Sequence, residues 1–185
     1  EKIDNLLSEI ESKIDNNNLI NNELESMAKT IYDYWFLQFE FPNEDGKPYK
    51  SSGGKMVWNE ELKREIPEGW EVGQLNKLGD LLMGQSPKSE SYNDNEIGYP
   101  LINGAAELQA NKIEITKYTS EPTRVCKIND LLFCIRATIG NLRYSEAEYC
   151  LGRGVAAFTP KKSEYAEYAF DLLNNILEIY KKILT

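Results

Sequence analysis

From Ile3 to Trp35, apolar residues recur at alternating steps of four and three: Ile3, Leu7, Ile10, Ile14, then Leu24, Ala28, Ile31 and Trp35. The same spacing carried through the gap lands on Asn17 and Asn21. A 3.5-residue period draws one narrow stripe along a helix, the pattern of a coiled-coil seam rather than of a broad face turned to a core. No proline or glycine occurs before Pro42, so nothing forces a break. About 35 residues at 1.5 Å rise make a rod of roughly 50 Å, too long to bury against a small domain. The Asn16-Asn17-Asn18 run is its weak point, because Asn in a seam sets register or pairing at a cost in stability. Pairing with another long helix is the expectation. A surface helix folded back on its own domain is the alternative.

The texture changes after the helix. Trp35-Phe36-Leu37-Gln38-Phe39-Glu40-Phe41 closes it with an aromatic cluster, and Pro42 ends it. Asn43, Asp45-Gly46, Pro48, Ser51-Ser52-Gly53-Gly54 and Pro67-Glu68-Gly69-Trp70 then mark a turn-rich connector, with a short helical patch near Asn59–Arg64. Beyond Trp70, the runs Leu78–Met83, Tyr99–Ile102, Ile113–Tyr118, Leu131–Arg136 and Val155–Phe158 read as short strands between glycine and asparagine turns. Tyr165, Ala169, Leu172, Ile176, Tyr180 and Ile183 predict a closing helix from about Ser163 to Leu184. The expected class is α+β: a long coiled-coil-type helix over 1–41, a linker over 42–71 and a small mixed α/β domain over 72–185.

Composition removes several function classes. The 185 residues contain no His, which excludes Ser-His-Asp and Cys-His nucleophiles and His-ligated metals. Cys126, Cys134 and Cys150 are odd in number and lack a Cys-x-x-Cys pair; they read as reduced, mostly buried thiols of a cytoplasmic protein, not as a zinc site. No apolar run approaches the roughly 20 residues of a membrane span. The first residues form no signal peptide, and the absence of an initial Met fits a fragment or processed chain. Residues 1–45 hold eleven acids and three bases, a net of −8, whereas residues 46–185 are nearly balanced at −1. The overall −9 therefore says little about the second region, where the local field on one face decides nucleic-acid binding.

Catalytic motifs are missing. The chain has no Pro-Pro pair, hence no amino-methyltransferase Asn-Pro-Pro-Tyr, and no P-loop. Gly152-Arg153-Gly154 is a lone Gly-x-Gly followed by a strand-like run. The acid-x-Lys tripeptides at Glu11, Asp45 and Glu61 fall on helix or linker without a partner carboxylate on a strand. The sequence does not read as an enzyme.

Three stretches together resemble the specificity subunits of type I restriction–modification systems. Asn21–Phe36 is similar to their helical spacer. Asn43–Gly54, with Ile66-Pro67-Glu68-Gly69-Trp70, is similar to the opening of a target-recognition domain. Gly84-Gln85-Ser86-Pro87, Pro100-Leu101-Ile102-Asn103-Gly104 and Leu151-Gly152-Arg153-Gly154 resemble motifs inside one. The resemblance implies a non-catalytic subunit in which two recognition domains, joined by long antiparallel helices, each read half of a split DNA site. It implies partner methyltransferase subunits that use S-adenosylmethionine, restriction subunits that use ATP and Mg, and no cofactor on this chain itself. One spacer helix and one recognition domain depart from that pattern, which fits part of a subunit, with its domain truncated at the C-terminal end, or a half-size subunit that dimerises.

Within that resemblance, the expected DNA contacts are Gln85, Ser86, Lys88, Asn103, Arg136, Thr138, Arg143 and Arg153. Arg pairs bidentately with guanine and Gln or Asn with adenine, while Ser86, Thr138 and backbone N–H groups suit phosphates. Two readings stand for each: Gly84–Pro87 is a base-reading loop or a tight turn, and Arg153 is a base contact or an ion-pair partner. Two rival functions also stand, a coiled-coil interaction protein without DNA and the recognition region of a single-chain restriction–methylation enzyme.

Overall fold

The structure, a computed structural model, describes residues 2–109, 112–136 and 139–184. The chain separates into two compact units, Glu1–Val72 and Gly73–Thr185.

In the first unit, helix α1 runs over Lys2–Tyr32 and continues into one wider π-helical turn, Asp33–Leu37. The wider turn is closed by Gln38 N–H donating to the Asp33 carbonyl at 2.9 Å. The seam residues are exposed along the rod, from 74% at Ile3 to 38% at Trp35. Leu6, Ile20 and Met27 are exposed as well and, at helical spacing, widen the stripe on its flank.

Residues 42–71, expected as a linker with a helical patch, fold into something more definite. Strand β1 (Met56–Asn59) pairs antiparallel with β2 (Arg64–Pro67). The stretch Glu60–Lys63 favours helix by composition but forms the hairpin turn instead. Asn59 Oδ1 accepts the N–H groups of Glu61 and Leu62, and Lys63 takes a left-handed φ of 51°. Phe41 stacks between Tyr49 and Trp70, at 4.7 and 5.2 Å between ring centroids. Phe39 is buried, with its ring edge-on to Trp70 and the Arg64 guanidinium 4.6 Å over its face. The connector is thus an aromatic knot at the end of the rod.

In the second unit, one sheet has the order β3 (Gly79–Met83), β10 (Val155–Pro160), β7 (Leu131–Cys134), β8 (Gly140–Tyr144), with all neighbours antiparallel. A second sheet has the order β4 (Tyr92–Asn93), β6 (Tyr118–Thr119), β5 (Tyr99–Ile102), β9 (Cys150–Leu151), with β5 and β9 parallel. Helix α2 (Ala166–Leu184) covers the far side of the first sheet. Leu131, Phe133, Ala156 and Phe158 pack against Ala169, Leu173 and Leu177 of α2. Their alternates Leu132, Cys134, Val155 and Ala157 pack against Ile102 and Leu151 of the second sheet. A strand buried on both faces must be apolar throughout, which is why β7 and β10 read as unbroken runs. The buried stripe of α2 is Ala169, Leu173 and Leu177, while the expected Tyr180 and Ile183 are exposed. Of the expected strand Ile113–Tyr118 only the end is laddered; Ile113 and Ile115 alternate onto the core without extended pairing. Among the described residues no helix is long and apolar enough to cross a membrane.

Cys126, Cys134 and Cys150 are free and buried. Loss of hydration pushes the thiols of Cys126 and Cys134 from 9.0 up to about 11. A raised folded value favours the neutral thiol, so this contribution to stability is full below pH 9 and is lost as pH climbs through 11. The native protein should therefore resist iodoacetamide at neutral pH, with labelling by mass spectrometry appearing only on unfolding, and its melting temperature should fall between about pH 9 and 11. Rapid native labelling at Cys126 or Cys134 would contradict this packing.

Candidate nucleic-acid interface

Antiparallel pairing brings the end of β3, the start of β10 and the end of β7 to one rim of the first sheet, since Met83 lies opposite Ala156 and Val155 opposite Cys134. The parallel pair β5–β9 ends at the same place. β3, β5 and β9 run out into glycine-containing motifs, β10 starts from one, and the motifs bind one another. Gly84 N–H donates to the Val155 carbonyl at 3.0 Å, Gln85 N–H to Leu151 at 2.8 Å and Gly152 N–H to Ile102 at 2.8 Å. Arg153 N–H donates to Ser86 Oγ at 3.3 Å, and Ile135 N–H to the Gly154 carbonyl at 3.0 Å.

The glycines are there for space. A Cβ on Gly84 would lie 2.2 Å from the Gly152 carbonyl oxygen, one on Gly152 2.9 Å from Asn103 Cα, and one on Gly154 2.5 Å from the Asn103 carbonyl oxygen. Any side chain would push the three loops apart. Close approach of backbones thus turns three separate sequence motifs into one rim.

The side chains of these loops divide between this packing, which takes up Ser86 Oγ and the Asn103 amide, and solvent. Gln85, Arg136 and Arg153 are exposed, and Ser86 and Asn103 half-buried. Arg136 follows β7 by two residues. Arg136 and Arg153 make no ion pair among the described residues, so the ion-pair role considered for Arg153 is not what the structure shows. The other expected contacts lie elsewhere. Lys88 is on the flank, lining a concavity of about 480 Å³ with Glu90, Ser91, Ser120 and Glu121. Arg143 stands inside β8 opposite Leu132, half-buried, with Glu146 at 3.9 Å. Thr138 lies outside the described residues.

Several rim residues carried no signal in the sequence. Thr123 donates its hydroxyl to the Gln85 carbonyl, and Leu151 N–H donates to the Arg124 carbonyl at 2.8 Å, so an exposed Arg124 joins the rim. Glu107 Oε2 accepts from the N–H groups of Asn103 and Gly104, at 3.3 and 3.1 Å. Only an isolated run, Thr123-Arg124 after Pro122, marks the former in the sequence. Among the described residues the Arg136 and Arg153 guanidinium groups and the Gln85 amide have no partner, on backbones fixed from behind, which is chemistry for hydrogen bonding to a polar, anionic partner. Among the described residues no group of three or more Cys, Asp or Glu could hold a metal ion.

Comparison with known proteins agrees with this architecture. Residues 67–185 match the family model described as the type I restriction modification DNA specificity domain. A putative type I restriction enzyme MjaX specificity subunit from Methanocaldococcus jannaschii is 37% identical over 102 residues, 54% of this chain and 24% of the relative. The MjaIX specificity subunit of the same organism is 36% identical over 99 residues, 51% of this chain and 20% of the relative. This chain therefore spans about a fifth to a quarter of the length of the curated relatives it matches. In fold it is similar to the crystal structure of the HsdS subunit from Thermoanaerobacter tengcongensis, with a TM-score of 0.53 and 24% identity over 94% of this chain and 40% of the other. A chain from a structure describing complex assembly and conformational transition of the type I R-M system gives a TM-score of 0.54 and 22% identity, over 95% and 42%. With the matched model covering the whole sheet-rich unit and its rim, the chain belongs to the type I restriction modification DNA specificity domain family.

Proposed function

We propose that this chain is the recognition part of a type I specificity subunit, reading DNA sequence with the rim of its second unit. The convergence of the three motifs into one surface with exposed Gln85, Arg136 and Arg153 is the observation that carries the reading. Arg136 and Arg153 have the fork geometry for guanine, and Gln85 and Asn103 the amide for adenine. In this reading Arg124 and Ser86 contact phosphates. In this reading α1 pairs along its apolar seam with a second long helix, of the same subunit or of a second copy, and so holds two readers at fixed separation and helical phase. The acidic rod serves protein contacts and the nearly neutral unit serves DNA. Methyltransferase and restriction subunits dock on the assembly and supply S-adenosylmethionine, ATP and Mg. The assembly is cytoplasmic, and this chain positions chemistry that its partners perform.

The test is a gel shift of the full specificity subunit, assembled with its methyltransferase partner, on specific and scrambled duplexes across a salt series. Tighter binding to the specific duplex is expected. Arg136→Ala or Arg153→Ala should cost about 1–3 kcal/mol at one base position if the residue reads a base. A phosphate contact would instead weaken all duplexes alike and lower the salt slope by about one unit. Both variants binding as wild type, with the fold intact, would contradict the placement of DNA on this rim.

A further inference from the structure

The segment 103–108 is held in a way that the reading residues alone do not require. Glu107 folds its carboxylate back onto two consecutive backbone N–H groups, those of Asn103 and Gly104, and one oxygen, Oε2, accepts both. On the other side of Asn103 stand Gly152 and Gly154, close enough that neither tolerates a Cβ. Asn103 is therefore gripped from two directions, its backbone by Glu107 and Gly154 and its amide oxygen by Gly152. Leu108, the residue after Glu107, is fully buried in the core, and its N–H donates to the Gly104 carbonyl at 3.0 Å. The Leu108 carbonyl in turn accepts from Asn141 Nδ2 at 2.8 Å. Asn141 stands at the start of β8, with a left-handed φ of 53°, next to Gly140, which lies opposite Cys134. Asn141 thus belongs to the β7–β8 hairpin that carries Arg136.

We infer that Glu107 and Asn141 are positioning residues that lock the Asn103 loop to the Arg136 hairpin and hold the two at a fixed offset for base reading. The inference rests on the DNA-reading assignment above and deepens it. A carboxylate facing a polyanion is unfavourable unless it is engaged, and here two backbone donors hold it. Base readout needs side-chain placement to within about half an ångström, which exposed loops attain only when their backbones are tied from behind. The charge of Glu107 is felt at Cys134, whose thiol it pushes further up, as a carboxylate turned inward at the rim would do.

The experiment compares binding of the full subunit, assembled with its methyltransferase partner, to specific and scrambled duplexes over a salt series. Three variants serve, Glu107→Ala, Glu107→Gln and Asn141→Gly, the last keeping the left-handed backbone while removing the amide donor. Glu107→Ala and Asn141→Gly should each lower the specific-to-scrambled ratio by about tenfold, the worth of one base pair, with scrambled binding and salt slope unchanged. Glu107→Gln should retain most of the ratio, because its amide oxygen accepts the same two N–H groups. Wild-type ratios in the first two variants would overturn the inference. So would tighter binding of every duplex by Glu107→Ala with a salt slope steeper by about one unit, which would make the carboxylate a simple repelling charge. Glu107→Gln behaving like alanine would also overturn it, since charge and not acceptor geometry would then matter. If Glu107→Ala does not fold, Asn141→Gly carries the test alone. A wild type that does not discriminate would instead sink the DNA-reading assignment itself.

Discussion

A subunit carrying Ile10→Lys and Ile14→Lys is expected to lose helix pairing while keeping its own fold. Both side chains are exposed on α1, at 46% and 53%, so within this chain they support nothing that lysine would disturb. In a paired seam each isoleucine would add about 1.5–3 kcal/mol by leaving water. Each lysine would in addition carry an ammonium into an apolar groove, at several kcal/mol unless it bends out to solvent. Sedimentation velocity should show loss of the larger species, or failure of the full subunit to assemble, with helical circular dichroism unchanged. Ser12→Lys, on the opposite face, should leave assembly intact. Unaltered assembly in the double variant would reduce the stripe to an ordinary surface feature.

The second large effect concerns Gly84. Its missing Cβ would sit 2.2, 2.6 and 2.9 Å from three backbone carbonyl oxygens, those of Gly152, Val155 and Leu151. None of these can swing aside as a side chain can. Gly84→Ala should therefore cost about 1–3 kcal/mol, the range for overpacking, or more, and lower the melting temperature on the order of 10 °C. It should also separate Gln85 from Arg153, so residual folded protein should bind specific and scrambled DNA alike. Gly104→Ala is the control, because nothing lies within 4 Å of a Cβ at that position. Equal melting temperatures for the two variants would show that the loops are not packed as described.

Legibility in the sequence followed how much each residue's type was dictated by burial. Leu131–Cys134 and Val155–Phe158 could be read as strands because both faces are covered and every position is apolar. β8 was not legible: Gly140, Asn141 and Arg143 are poor strand residues, kept in place by pairing with β7 rather than by propensity. β9 is two residues long, and its parallel partner lies about fifty residues away in the chain. Glu60–Lys63 favours helix locally, yet the Asn59 side chain and the pairing of β1 with β2 override that preference. At the rim, Gln85, Asn103, Arg136 and Arg153 were visible as polar side chains on glycine-marked turns. Thr123, Glu107 and Asn141 were not, because each contributes a side-chain hydrogen bond to backbone, distant in the chain for Thr123 and Asn141 and three to four residues back for Glu107, which leaves no period or motif. The heptad seam was the most legible feature of all, since exposure of a regular apolar stripe needs no tertiary context to be seen.

The most direct test of DNA reading by this rim is the methylated sequence itself. Cells would carry the full specificity subunit, with its methyltransferase partner, as wild type or with Gln85, Asn103, Arg136 and Arg153 all changed to alanine, and modified bases would be mapped across the genome by single-molecule sequencing. If the rim reads DNA, the wild type marks a split site, and the variant loses or relaxes the bases of one half while the other half is still required. An unchanged methylated sequence, produced by a variant shown to be folded and assembled, would contradict the account.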